Sequence, residues 1–135
     1  MVASEPESIS LPDGRTLAFA TYGDPGGTPL LFHHGTPGSS HLGALLSEPA
    51  LASGVRVIAP SRPGYGRSDP DPDGTFETWA DDCRALADAL ELESFAVAGF
   101  SGGGPYALAV AARHADRVSA VGVVGAPVPA HDGGP

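Results

Sequence analysis

Positive charge is scarce in this chain. Seven basic residues stand against sixteen acidic ones across 135 residues, a formal net charge of −9. Surfaces that bind phosphate backbones are built from clustered Arg and Lys, so nucleic acid is excluded as a partner. An anionic membrane surface is excluded on the same ground. The acidic surplus itself signals only a well-solvated exterior. Cysteine is scarcer still, and the single Cys83 leaves no intrachain disulfide. It sits in Asp81-Asp82-Cys83-Arg84, where two carboxylates disfavour the thiolate, so it reads as a core residue. No apolar run approaches the ~18 residues of a membrane span. Met1 to Glu7 lacks the basic start and apolar stretch of a secretory signal, and the expected location is cytoplasmic. No cluster has metal-ligand spacing. The glycines at 99, 102, 103 and 104 do not fit a dinucleotide fingerprint, so no metal and no cofactor are implied.

Glycine and proline, by contrast, are abundant, at 19 and 14 residues. They cluster at Gly23 to Gly27, Pro60 to Asp73, Gly99 to Pro105 and Ala126 to Pro135, which marks these stretches as loops. Between the loops the chain alternates. Ser8 to Leu11 and Arg15 to Tyr22 read as strands joined by the turn Leu11-Pro12-Asp13-Gly14-Arg15, too short for anything but antiparallel pairing. Further strands are expected at Leu30 to His33, Val55 to Ala59, Phe95 to Ala98 and Val118 to Val124. These later strands are continuous apolar runs, the pattern of strands buried on both faces. Helices are expected at about Ser40 to Ala52 (closed by Gly54), Phe76 to Leu90 (capped by Thr75) and Gly103 to His114. This order predicts an α/β fold, a mostly parallel sheet with helices on both faces.

Two loops carry the chemistry. Gly99-Phe100-Ser101-Gly102-Gly103 follows a buried strand and opens an Ala-rich helix, the setting of a nucleophile elbow. In a glycine-rich chain five such residues also arise by chance, and it is the placement between strand and helix that singles out Ser101. Gly99 and Gly103 let strand and helix pass closely, and Phe100 is a candidate pocket residue. His34-Gly35-Thr36-Pro37-Gly38 likewise follows a strand and opens a helix. Gly35 and Gly38 are expected to take unusual backbone angles, with Pro37 fixing the turn. The backbone N–H groups of Thr36 and Gly102 are then the candidate donors of an oxyanion hole, with an ordinary Gly-Pro turn as the alternative.

With the hairpin at Leu11 to Arg15, the loop His34 to Gly38, the segment Arg62-Pro63-Gly64-Tyr65-Gly66-Arg67-Ser68 and the elbow in this order, nearly the whole chain resembles the N-terminal part of a serine-dependent α/β-hydrolase. The resemblance implies that His34 braces the oxyanion loop and that Arg62, Gly64, Gly66 and Ser68 are structural. It is esterase-like. The His-Gly-x-Pro-Gly pattern is also similar to that of proline iminopeptidases, which usually carry glycine where Thr36 stands.

The family's sheet continues for about two more strands, usually after a helical lid, and its acid and histidine lie in that later part. Residues 1–135 therefore read as the N-terminal portion of one domain truncated after about the sixth strand, with 126–135 as a flexible tail where a lid would begin. Among local candidates, His41 is placed to line a pocket, His114 ends a helix away from the site, and His131 and Asp132 lie on the tail. Asp24, Asp69 and Asp71 read as turn-formers. The expectation is a serine hydrolase acting on a small-molecule ester-like or amide-like carbonyl. A second polypeptide or cleaved C-terminal segment would supply the acid and base. The alternative is an inert hydrolase fragment or interaction module.

Overall fold

The computed structural model describes residues 7–35 and 46–125. Strands β1 (Glu7–Ser10) and β2 (Thr16–Gly23) pair antiparallel, with Ile9 opposite Leu17. Asp13 closes the turn between them by accepting from the backbone N–H of Arg15 at 3.0 Å. Strands β3 (Thr28–His33), β4 (Val55–Pro60), β5 (Phe95–Phe100) and β6 (Val118–Val124) complete one six-stranded sheet in the order β1-β2-β4-β3-β5-β6. It is antiparallel from β1 through β2 to β4, and parallel from β4 to β6.

Among the described residues three α-helices cover the sheet. The first, α1 (Ser47–Ser53), ends on Gly54 in the left-handed conformation (φ 69°), as its glycine foretells. It covers the later part of the expected Ser40 to Ala52; residues 40–45 of that expectation lie outside the described residues. The second, α2 (Phe76–Ala89), opens with a reciprocal cap: Thr75 Oγ1 accepts from the Thr78 N–H at 3.1 Å, and Thr78 Oγ1 accepts from the Thr75 N–H at 2.8 Å. The third, α3 (Gly104–Arg113), follows a single tight turn at Ser101–Gly103. On one face Ala50 of α1 joins Ala20, Tyr22, Phe32, Val57 and Ala59. On the other, Leu86 of α2 and Val110 of α3 pack with Leu17, Leu31, Ile58, Phe95 and Val97. Replacing Thr75 with alanine removes one arm of the cap, and we expect a loss of about 1 kcal/mol. A urea midpoint lowered at unchanged slope, with Thr75→Ser near wild type, is the check.

The connections set the site. The crossover from β3 through α1 leads to β4 on one side, whereas that from β5 through α3 leads to β6 on the other. The carboxyl ends of β3 and β5, side by side with His33 paired to Gly99, therefore flank a switch point, where open α/β sheets place their ligands. Strand β6 has the unbroken apolar run of a strand buried on both faces, and all of it after Val118 is exposed, the bare apolar edge expected where further strands are not at hand. Among the described residues it pairs only with β5, and α1 lies against β2 and β4 at the other end of the sheet.

Candidate active site

Strand β5 must give way to α3 at once, and the turn is made on a non-glycine residue. Ser101 has φ 51°; only Glu91 shares a positive φ among the described non-glycine residues. Such a conformation costs an L-residue roughly 1–2 kcal/mol, so the surroundings must enforce it. They do so by close approach. A Cβ on Gly99 would stand 2.5 Å from the Gly103 carbonyl oxygen and 2.7 Å from Gly104 Cα. A Cβ on Gly103 would overlap the carbonyls of His33 and His34. The start of α3 is thus wedged against both β5 and the end of β3. Ser101 and Gly102 are half-buried, and Phe100 beside them is 50% exposed.

The loop after β3 is held by two successive clamps. Arg62, buried just past β4, donates from Nη1 to the His34 carbonyl at 2.6 Å. The His34 ring in turn donates from Nδ1 to the Gly35 carbonyl at 2.7 Å, while its Nε2 accepts from the Arg62 N–H at 3.2 Å. Those partners require the neutral ring. Burial, with a smaller contribution from the Arg62 charge, pushes the His34 pKa down to about 4. The Arg62 guanidinium lies 4.3 Å from the Tyr106 ring centre and 5.5 Å from that of Tyr65. Burial lowers its own pKa.

His33 turns the other way, into the core. Its Nδ1 donates to the Ala98 carbonyl at 3.0 Å, its Nε2 faces Cys83 Sγ at 3.7 Å, and burial pushes its pKa down to about 4. Cys83 is fully buried and its thiol is pushed up, first by burial and then by Asp82. His114 packs at the far end of α3 with its Nε2 2.9 Å from Asp81. All three described histidines are thus engaged away from Ser101.

Gly35 departs from expectation. It does not take a left-handed φ, and a Cβ there would make only ordinary contacts, 3.4 Å to Phe100 and 3.6 Å to Ser101 Cβ. Its place is set by the His34 clamp rather than by glycine's freedom, and it lies directly against the elbow. Thr36, Gly38 and His41, together with His131, Asp132 and the tail 126–135, lie outside the described residues. Asp24 does form a turn, accepting from the Gly26 N–H at 3.0 Å. Ser68 fastens its loop by donating to the Ser61 carbonyl at 2.6 Å and accepting from the Ala18 N–H at 2.9 Å.

Sequence reasoning missed the reach of Arg62 and a cleft beside it. The cleft, of about 250 Å³, is lined by residues that include Arg62, Tyr65, Phe76, Trp79 and Tyr106. The aromatic positions at the starts of two helices are its only trace in the sequence. No described helix is long and apolar enough to cross a membrane, and no described His, Cys, Asp and Glu residues gather as a metal site.

Residues 28–134 match the model of the alpha/beta hydrolase fold family. A non-heme chloroperoxidase of Streptomyces lividans is 36% identical over 124 residues, which are 90% of this chain and 45% of that protein. A 2-hydroxymuconate semialdehyde hydrolase of Pseudomonas sp. strain CF600 is 39% identical over 103 residues, 73% of this chain and 36% of that one. The chain thus spans less than half the length of these relatives. Among solved structures, an alpha/beta hydrolase fold protein from Nakamurella multipartita superimposes with a TM-score of 0.80 at 36% identity, covering 90% of this chain and 41% of that chain.

Proposed function

Because this chain belongs to the alpha/beta hydrolase fold family, we propose that Ser101 is the nucleophile of a serine hydrolase that transfers an acyl group to water. The observation that carries the reading is the positive φ of Ser101 at the turn from β5 into α3. Strain of this kind persists only where neighbouring structure enforces it, and it lifts a hydroxyl out of the strand end toward a ligand. Ser101 Oγ attacks the carbonyl carbon of an ester-like or amide-like small molecule. Charge then develops on the carbonyl oxygen, where the backbone N–H groups of Thr36 and Gly102 receive it. One such donor is worth about 3 kcal/mol of transition-state stabilisation. The clamped carbonyls of His34 and Gly35 support this arrangement, because they fix the loop that leads into Thr36. The tetrahedral intermediate collapses with cleavage of the bond to the alcohol or amine, which leaves with the proton that Ser101 gave up. Water then hydrolyses the acyl-serine, releasing the carboxylic acid and restoring the Ser101 hydroxyl. Phe100, exposed beside the elbow, contributes to the pocket, as does His41.

The serine hydroxyl needs a base, and the described histidines are committed elsewhere. We assign the base and its orienting acid to a second polypeptide or a further C-terminal segment that joins the sheet at β6. The exposed face and edge of β6 support this, as does the chain's coverage of less than half of its relatives. The engaged histidines also favour a second reading, a catalytically inert module. A fluorophosphonate probe on natively purified protein, with native and denatured masses measured in parallel, separates the two. Rapid labelling of Ser101, abolished in Ser101→Ala and accompanied by a partner polypeptide or a longer chain, is the expected result. Absence of labelling in material that contains such a partner would overturn the hydrolase reading.

A further inference from the structure

The loop after β3 and the start of α3 carry the two halves of the site proposed above, and one buried side chain touches both. Arg62 is 2% exposed. Its Nη1 donates to the His34 carbonyl at 2.6 Å, just past the end of β3. Its guanidinium carbon lies 4.3 Å from the ring centre of Tyr106, in the first turn of α3. Tyr65 closes a second side, 5.5 Å from the guanidinium, and stands edge-on to the His34 ring at 5.0 Å. The His34 ring is thereby held from two directions, by Tyr65 and by the backbone N–H of Arg62.

Packing alone does not specify such an arrangement. The wedge at Gly103 sets how near α3 comes to the end of β3. Dispersion contact has little directionality, however, and leaves a carbonyl free to tilt. A planar guanidinium has donors in its plane and a flat face, so one group can hold a carbonyl and a ring at a fixed angle. Taking a cation out of water is costly, and an apolar residue of the same length would fill this space without that cost. The peptide unit, finally, is rigid and planar. The bond from the His34 ring to the Gly35 carbonyl, 2.7 Å long, therefore orients the whole unit that carries this carbonyl, including the N–H at its far end.

We propose that Arg62 is a positioning residue that sets the two oxyanion donors relative to each other. Through His34 it aims the N–H of Thr36. Through Tyr106 it fixes the register of α3, whose preceding turn carries Gly102. The inference rests on Ser101 being the nucleophile, and Arg62 acts through these neighbours rather than on the substrate.

The test uses natively purified protein with p-nitrophenyl acetate and its thiono analogue, in which sulfur replaces the carbonyl oxygen. Thiocarbonyl sulfur is the weaker hydrogen-bond acceptor, so a well-set pair of donors prefers the oxygen ester. That preference is a ratio, and a smaller folded fraction does not change it. In Arg62→Met, kcat for the oxygen ester falls about 30-fold with KM within about twofold of wild type. The oxygen-over-sulfur preference narrows about fivefold. Arg62→Lys, which keeps the charge and a single donor group, recovers part of both losses. Tyr106→Leu leaves the Arg62 bond to His34 in place and removes the ring face, and it narrows the preference about twofold. Tyr106 is only partly buried, so this variant carries the test should Arg62→Met fail to fold. Wild-type turnover with a preference unchanged in either folded variant overturns the proposal and leaves the Ser101 reading standing. A wild type without turnover that depends on Ser101 overturns both.

Discussion

Gly103→Ala will cost about 3 kcal/mol or more of folding stability, enough to unfold much of the population of a domain of ordinary stability. The added methyl would overlap the carbonyls of His33 and His34. Those atoms are backbone at the end of a central strand, so no side chain can swing aside. His34 is also clamped by Arg62 and His33 by its bond to Ala98, which removes the remaining slack. Relief requires α3 to withdraw from β3, and this opens the core that Ala107 and Val110 fill. The contrast is Gly122→Ala in β6. A Cβ there meets nothing within 4 Å and its φ is not left-handed, so that variant stays within about 0.5 kcal/mol of wild type. Chemical denaturation of the two variants side by side tests the argument. Equal stability would mean that the wedge between α3 and β3 is not tight.

Acid will unfold the chain well before its surface carboxylates are fully protonated. His33 and His34 are both held near a pKa of about 4, chiefly by burial. An exposed imidazole titrates near ~6.5. Between these values the unfolded chain binds protons that the folded chain refuses, so stability falls as pH drops from about 6.5 and levels off below about 4. Each ring accounts for up to roughly 3 kcal/mol over that window. Asp82 acts in the opposite sense, because burial raises its carboxyl pKa despite the Arg15 contact. Urea midpoints at pH 7 and pH 4.5 should differ widely in wild type and less in His33→Gln, which removes one titrating ring. A midpoint unchanged between the two pH values would show that neither imidazole must stay neutral.

The sequence discloses the local features and hides the long-range ones. The turn at Asp13, the Thr75 cap, the Gly54 stop and the elbow are written in neighbouring residues, each with a short-range physical cause. The insertion of β4 between β2 and β3 has no local signature, because pairing partners such as Phe19 and Pro60 lie far apart in the chain. The clamp from Arg62 to His34 is hidden for the same reason. An arginine beside a proline in a polar loop looks exposed until the aromatic rings that cover it are in place. The exposure of β6 shows the limit of pattern reading. An unbroken apolar run states what a strand would bury, not whether the burying elements are at hand.

The two borders of the sheet differ in kind. At one, β1 offers four residues, Glu-Ser-Ile-Ser, short and polar enough to discourage pairing. At the other, β6 offers seven residues with Val121, Val123 and Val124 substantially bare. Among the described residues only the β6 border is adhesive, so any strand that the proposed partner polypeptide or further segment contributes has one place to dock, and the polar β1 border does not compete for it.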